Sequence, residues 1–168
     1  MQTSTMSRYA QELVVLRRLL PAYQSGIVGL QELAMRFSNP GWKDLFVHLW
    51  SQQANGLTEL EEKIWEMGGD GRTPRHEEDV EIVDSDDTLS DPLLLDKALL
   101  LRCINQQTRL LRLCADAKRS PLPFDVRMIL QRHQLQMREM VDRLSSMYLT
   151  YPHRKRLNLE ALVTSQAA

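Results

Sequence analysis

Hydrophobic positions recur along this chain at alternating spacings of three and four, the repeat that places side chains on one face of a helix. The first run is Tyr9, Leu13, Leu16, Leu20, Tyr23, Ile27, Leu30, Ala34 and Phe37, which predicts a helical rod over about Met6 to Phe37. Pro21 interrupts it. Proline removes one backbone bond and clashes with the carbonyl four residues back, so either a kink or a break with a new start at Pro21 is expected. The second run is Phe46, Leu49, Gln53, Leu57, Leu60, Ile64 and Met67. Ser38, Asn39 and Pro40 mark its start, and Gly68 with Gly69 its end. A third helix is expected from Pro92, capped by Ser90 or Asp91, to Lys118. Its inward stripe reads Leu95, Leu99, Cys103, Gln106, Leu110, Leu113 and Ala117. A fourth starts near Pro123 and Asp125 and turns Val126, Ile129, His133, Met137, Met140, Leu144 and Met147 inward.

Each stripe must be buried, because a long helix with one apolar face is not stable alone in water. Four helices of similar length therefore predict an all-α fold, an antiparallel four-helix bundle over residues 1–148. The two outer connections are short, whereas residues 70–91 form a long link between the second and third helices. That length suits a crossover, which gives the ferritin-like connectivity. Residues 149–168 are read as a C-terminal tail with a possible short docking helix. Leu49, Leu60, Leu99, Leu110, Ile129 and Leu144 are expected to be inaccessible.

Charge refines the picture at the crossover. Asp70 to Asp91 carries nine acidic residues against two basic ones, while Pro92 to Ser120 carries six basic against two acidic. An acidic strap beside a basic helix is expected to lie back on its own bundle or on a partner. The strap lacks the alternating ligand positions of a calcium loop. The formal net charge is −1 over 168 residues, and the basic cluster His153 to Arg156 is short. Nucleic-acid binding is therefore not expected. No run approaches a membrane span, and the first residues do not resemble a secretory signal, so a cytoplasmic location is the expectation. Cys103 and Cys114 share a face of one helix about 16 Å apart, too far to pair, and are read as buried thiols.

Candidate chemistry lies in the polar middle of the stripes. Gln53, Gln106 and His133 interrupt three of them, with Gly56 beside Gln53, and Ser25, Gly26 and Gly29 thin out the first helix. Small residues there permit close helix approach or leave room for a ligand. The favoured reading of Gln53, Gln106 and His133 is a buried, mutually hydrogen-bonded layer that fixes helix register. The alternatives are a pocket that takes a small ligand or single ion through His133, and helix phases that turn these residues to solvent. No serine or cysteine has a nucleophile context, and GGDG lacks the strand and lysine of a phosphate loop.

The segments LLPAYQSGIVGLQELA, NPGWKDLF, EKIWEMGG and LPFDVRMILQRHQLQMREMVDRL carry a resemblance. Over roughly residues 16–144 the chain resembles the small bacterial ferritin-like proteins with the DUF2383 domain, a family of unknown function. The resemblance implies a four-helix bundle related to carboxylate-bridged di-metal proteins. Such a site takes glutamates from two helices and a Glu-x-x-His pair from each of the others. This sequence contains no Glu-x-x-His, and amides are weak metal ligands. No metal and no cofactor is therefore expected. The leading functional expectation is a non-enzymatic bundle protein acting through self-association or an unidentified protein partner. The alternative is a ferritin-like metal-binding or oxidase-type protein with a degenerate di-metal site. Trp42, Trp50 and Trp65 lack an obvious place in one bundle. With Tyr151, Leu157, Leu159 and Leu162 of the tail, they are the expected contact residues of a homodimer.

Overall fold

A computed structural model describes residues 3–71 and 92–151. Five helical segments make up this part of the chain: α1 (Thr3–Arg17), α2 (Leu20–Arg36), α3 (Pro40–Glu66), α4 (Pro92–Ala117) and α5 (Phe124–Thr150). No strand occurs among the described residues. Most of the acidic strap, and Leu157, Leu159 and Leu162 of the tail, lie outside them.

At Pro21 the chain breaks and does not kink. Pro21 has no N–H to offer Arg17, so α1 ends there and the chain turns through Arg18 and Leu19. The turn is closed by bonds from Arg18 N–H to Val14 O (3.3 Å) and from Leu19 N–H to Leu16 O (3.0 Å). α2 restarts at Leu20, with Pro21 in its first turn, where a missing N–H costs nothing. Leu16, Leu19 and Leu20 are all buried, so the break sits on the core side.

The other ends follow the sequence signals. Asn39 caps α3 by accepting from the Trp42 N–H at 3.3 Å, with Pro40 opening the helix. Gly68, at φ +80°, closes it, and the Gly69 N–H reaches back to Ile64 O at 2.9 Å. α5 runs two residues beyond the expected bundle limit of 148 and is capped at Tyr151, whose N–H donates to Met147 O at 2.8 Å.

Four helical layers pack together when α1 and α2 are taken as successive parts of one. α2 lies against α3 and α4, α4 against α5, and α3 touches α5. Contacts between α2 and α4 run in opposite directions along the chain: Arg36 pairs with Asp96, Glu32 with Arg102, Ser25 with Gln106 and Tyr23 with Cys114. Between α3 and α5, Lys63 pairs with Asp125 (2.5 Å) and Glu59 with Arg132.

The apolar core divides into two clusters. One gathers Leu16, Leu20, Leu60, Ile64, Leu110, Cys114, Val126 and Leu130. The other gathers Leu30, Leu33, Phe37, Phe46, Leu100, Cys103, Met140 and Leu144. Leu49, Leu60, Leu110 and Leu144 are buried as expected, but Leu99 and Ile129 are only half-buried. Their neighbours Leu100 and Leu130 take the core positions instead, while Cys103, Leu110 and Ala117 of α4 and Val126, His133 and Leu144 of α5 stay inward. The steps of three and four fall in a different order, and the faces are the ones expected.

Candidate functional site

Between the two apolar clusters lies a polar layer. Gln53 of α3, Gln107 of α4 and His133 of α5 are buried, and Tyr23 of α2 completes the layer. Gln107 takes the place expected for Gln106. α4 steps from Cys103 to Gln107 to Leu110 along its buried face, which leaves Gln106 half-buried on the α2 flank, where its Nε2 donates to Ser25 Oγ at 3.1 Å.

Two glycines make the layer possible. A Cβ at Gly26 would lie 2.2 Å from Gln53 Nε2 and 2.7 Å from Gln107 Nε2. A Cβ at Gly29 would lie 2.3 Å from Gln106 Oε1. α2 therefore presents bare backbone to the amides. Gln53 Nε2 donates to the Tyr23 carbonyl at 3.1 Å, and Gln107 Nε2 donates to Gln53 Oε1 at 2.6 Å. Gln107 Oε1 is buried and meets no donor among the described residues.

The second arm of the layer runs outward through His133. Its Nδ1 lies 2.7 Å from the Tyr23 hydroxyl, and its Nε2 lies 2.9 Å from Glu59 Oε2. Glu59 is held below the ordinary carboxylate range, chiefly by its hydrogen bond to Arg132. Its carboxylate is thus an acceptor only, which assigns the imidazole proton to Nε2 and makes Nδ1 an acceptor. Tyr23 then donates its O–H to Nδ1. Burial drives the His133 pKa down, against the opposing pull of Glu59, so the neutral ring fits the assignment. Cys114 Sγ, 3.9 Å from the Tyr23 oxygen, ends the chain inside.

The outer end of this relay opens on a cleft of about 230 Å³ between α3 and α5. Gln52, Asn55, Gly56, Glu59, Arg132 and His133 are among its lining residues. A larger groove, about 540 Å³, lies at the α1 end between Ala10 to Arg18 and Ser120 to Pro121. It is remote from the polar layer, and its lining holds neither histidine nor cysteine. The cleft at His133 is therefore the chemically relevant one.

None of the interior groups is poised as a nucleophile. Burial pushes the thiols of Cys103 and Cys114 up to about 12. It also raises Tyr23, with Cys114 and Glu59 adding to the effect. Among the described residues no group of three or more His, Cys, Asp or Glu side chains is placed to hold a metal ion. Glu32, which lies close to the stripe in sequence, is paired with Arg102 at the surface of α2 and α4.

The aromatic residues assigned to a contact surface have separate positions. Phe37, Trp42 and Tyr151 form a cluster at one end of the bundle. Their ring centroids are 5.2 Å apart for Phe37 and Trp42, 5.7 Å for Phe37 and Tyr151, and 5.6 Å for Trp42 and Tyr151. Tyr151 also donates to Asp96 Oδ2 at 2.5 Å. Trp50 is half-buried against the same apolar cluster. Trp65 is 76% exposed.

Glu59 and Tyr23 are the site residues the sequence reading missed. Tyr23 belongs to the apolar stripe, which gives no sign of a role for its hydroxyl. Glu59 belongs to a polar strip of α3, Gln52, Asn55, Gly56 and Glu59, which follows helical spacing beside the apolar one. That strip is the sequence signal for the cleft. No helix is long and apolar enough to cross a membrane among the described residues. Neither a protein-family model nor a curated protein matches this chain.

Proposed function

We propose that this chain is an antiparallel, ferritin-like four-helix bundle that acts without enzymatic chemistry of its own, through self-association. The opposed order of contacts between α2 and α4, and the long link between α3 and α4, support that topology. The DUF2383 resemblance points the same way. The observation that carries the functional reading is that the hydrogen bonds of the polar layer run mainly between its own members. Tyr23, His133, Glu59 and Arg132 are bonded in sequence, and the Gln107 and Gln53 amides donate to Gln53 Oε1 and the Tyr23 carbonyl, with Gln107 Oε1 alone in this layer left without a donor among the described residues. A layer of this kind fixes helix register, and its buried groups are held away from reactive protonation states.

Sedimentation equilibrium of the full chain at micromolar concentration tests the reading. A reversible dimer is expected, and a species of 19.5 kDa throughout the range overturns it. A second reading, a ferritin-like metal-binding protein with a degenerate site, draws on the contact between His133 and Glu59 at the cleft. The guanidinium of Arg132 on Glu59 opposes cation binding there. Elemental analysis after expression with iron or manganese separates the two: well below one ion per chain is expected for the first, and stoichiometric metal for the second.

A further inference from the structure

The face of α5 that points away from the core carries an apolar seam. Phe124 is 72% exposed, Met128 48%, Leu135 62% and Leu149 74%. On a helix these residues lie within about 40° of one line, opposite the buried stripe from Val126 to Met147. Met128, Leu135, Asp142 and Leu149 are spaced by sevens, and so are Phe124, Gln131, Arg138 and Ser145. These two series are the alternating positions of a coiled-coil seam, about 37 Å long from Phe124 to Leu149.

We infer that this seam pairs with the same seam of a second copy of the chain, the two α5 helices running antiparallel about a two-fold axis. The inference rests on the self-association proposed above and names its surface. The charges select the orientation. A parallel pair would set Arg138 against Arg138 and Asp142 against Asp142 of the other copy, stacking like charges at the seam. An antiparallel pair sets Leu149 on Phe124, Asp142 on Gln131, Leu135 on the aliphatic stem of Arg138 and Met128 on Ser145, each layer occurring twice by symmetry. Asp142 then meets an amide donor, and Leu135 is covered by methylenes. On one flank lie Arg132 and Glu139, both exposed. In the antiparallel arrangement this flank meets its own copy, bringing Arg132 of each chain to the level of Glu139 of the other. Arg132 keeps Glu59 as a partner, since a guanidinium offers five donors.

Two experiments on the full chain test this. Leu135→Glu changes an exposed position and is expected to leave helical content intact while raising the dimer Kd at least a hundredfold in sedimentation equilibrium. Phe124→Cys protein is then mixed with Leu149→Cys protein and oxidised. A disulfide joining the two different variants is expected, with none formed by either variant alone. Should the parent chain dimerise while Leu135→Glu retains its Kd, the α5 surface is wrong and the self-association reading survives. Disulfides within each variant alone overturn the antiparallel order. A monomeric parent chain overturns both readings.

Discussion

Gly26 and Gly29 look alike in the sequence, but their neighbours give them different consequences. An added methyl at either position of α2 gains about 1 kcal/mol of helix propensity. At Gly26 it meets Gln53 Nε2 and Gln107 Nε2, both on buried side chains held by hydrogen bonds. Overpacking at such a site costs about 1–3 kcal/mol, and displacing Gln53 also breaks its bonds. At Gly29 the obstacle is the Gln106 Oε1 end, on a half-buried side chain free to swing outward. Gly26→Ala is therefore expected to lower stability by about 1–2 kcal/mol, and Gly29→Ala to leave it within about 1 kcal/mol. Urea titrations of the two variants check this, and equal losses would mean that Gln53 is not pinned. His133 supplies a pH dependence at the same scale. Its folded pKa lies below the ordinary 6.5, so between the two values the unfolded chain binds more protons. Its contribution to stability is thus complete above 6.5 and is lost as pH falls towards the folded value. Glu59, also lowered, adds to acid lability in a range below its ordinary 4.5. The urea midpoint is expected to fall on acidification through the imidazole range, and His133→Gln to flatten that slope. A parent midpoint indifferent to pH there would remove the neutral, buried ring.

At the scale of elements, legibility depended on how sharply each helix separates its apolar and polar residues. The ends of α3 could be read directly, because Asn39, Pro40 and Gly68 each have a distinct backbone role. The removal of one such role has a defined cost. Asn39→Ala deletes the acceptor for the Trp42 N–H and should lower stability by about 1 kcal/mol, while Asn39→Ser retains a cap. Thermal unfolding checks the pair, and identical losses would show that the side chain is not the cap. The phase of α4 was harder. Leu93 to Leu95, Ala98 to Leu101, Leu110 with Leu111, and Leu113 with Cys114 are runs of adjacent apolar residues. Two phases one residue apart satisfy these runs almost equally, and the neighbouring Gln106 and Gln107 do not break the tie. The inward turn of Gln107 follows from the room left by Gly26, which is a tertiary fact. His133 was legible because Arg132 and Gln134 on either side leave its phase unambiguous. Its partners Tyr23 and Glu59 lie 110 and 74 residues away, a distance that no helical period reports.

At the scale of the molecule, the polar layer divides the apolar core without dividing the helices. Cys114 lies in one cluster and Cys103 in the other, and α4 runs through both. α2, α3 and α5 also contribute to each side, so neither half can open without breaking the same helices. The two thiols report on this directly, because each is buried and has its pKa pushed up to about 12. In the native chain neither is expected to react with a disulfide reagent at neutral pH, since the thiolate is the attacking species and both access and ionisation are withheld. As urea is raised, Cys103 and Cys114 should become reactive together, at the midpoint of the helical transition. Single-thiol variants, Cys103→Ala and Cys114→Ala, assign the two signals and are compared each at its own midpoint. Early labelling of Cys114 alone would show that the end containing the α1–α2 break opens as a separate unit. Early labelling of Cys103 alone would place that weakness at the aromatic end, around Phe37, Trp42 and Tyr151. Coincident labelling is the expected result, because four helices that cross the layer bind the two clusters into one cooperative core.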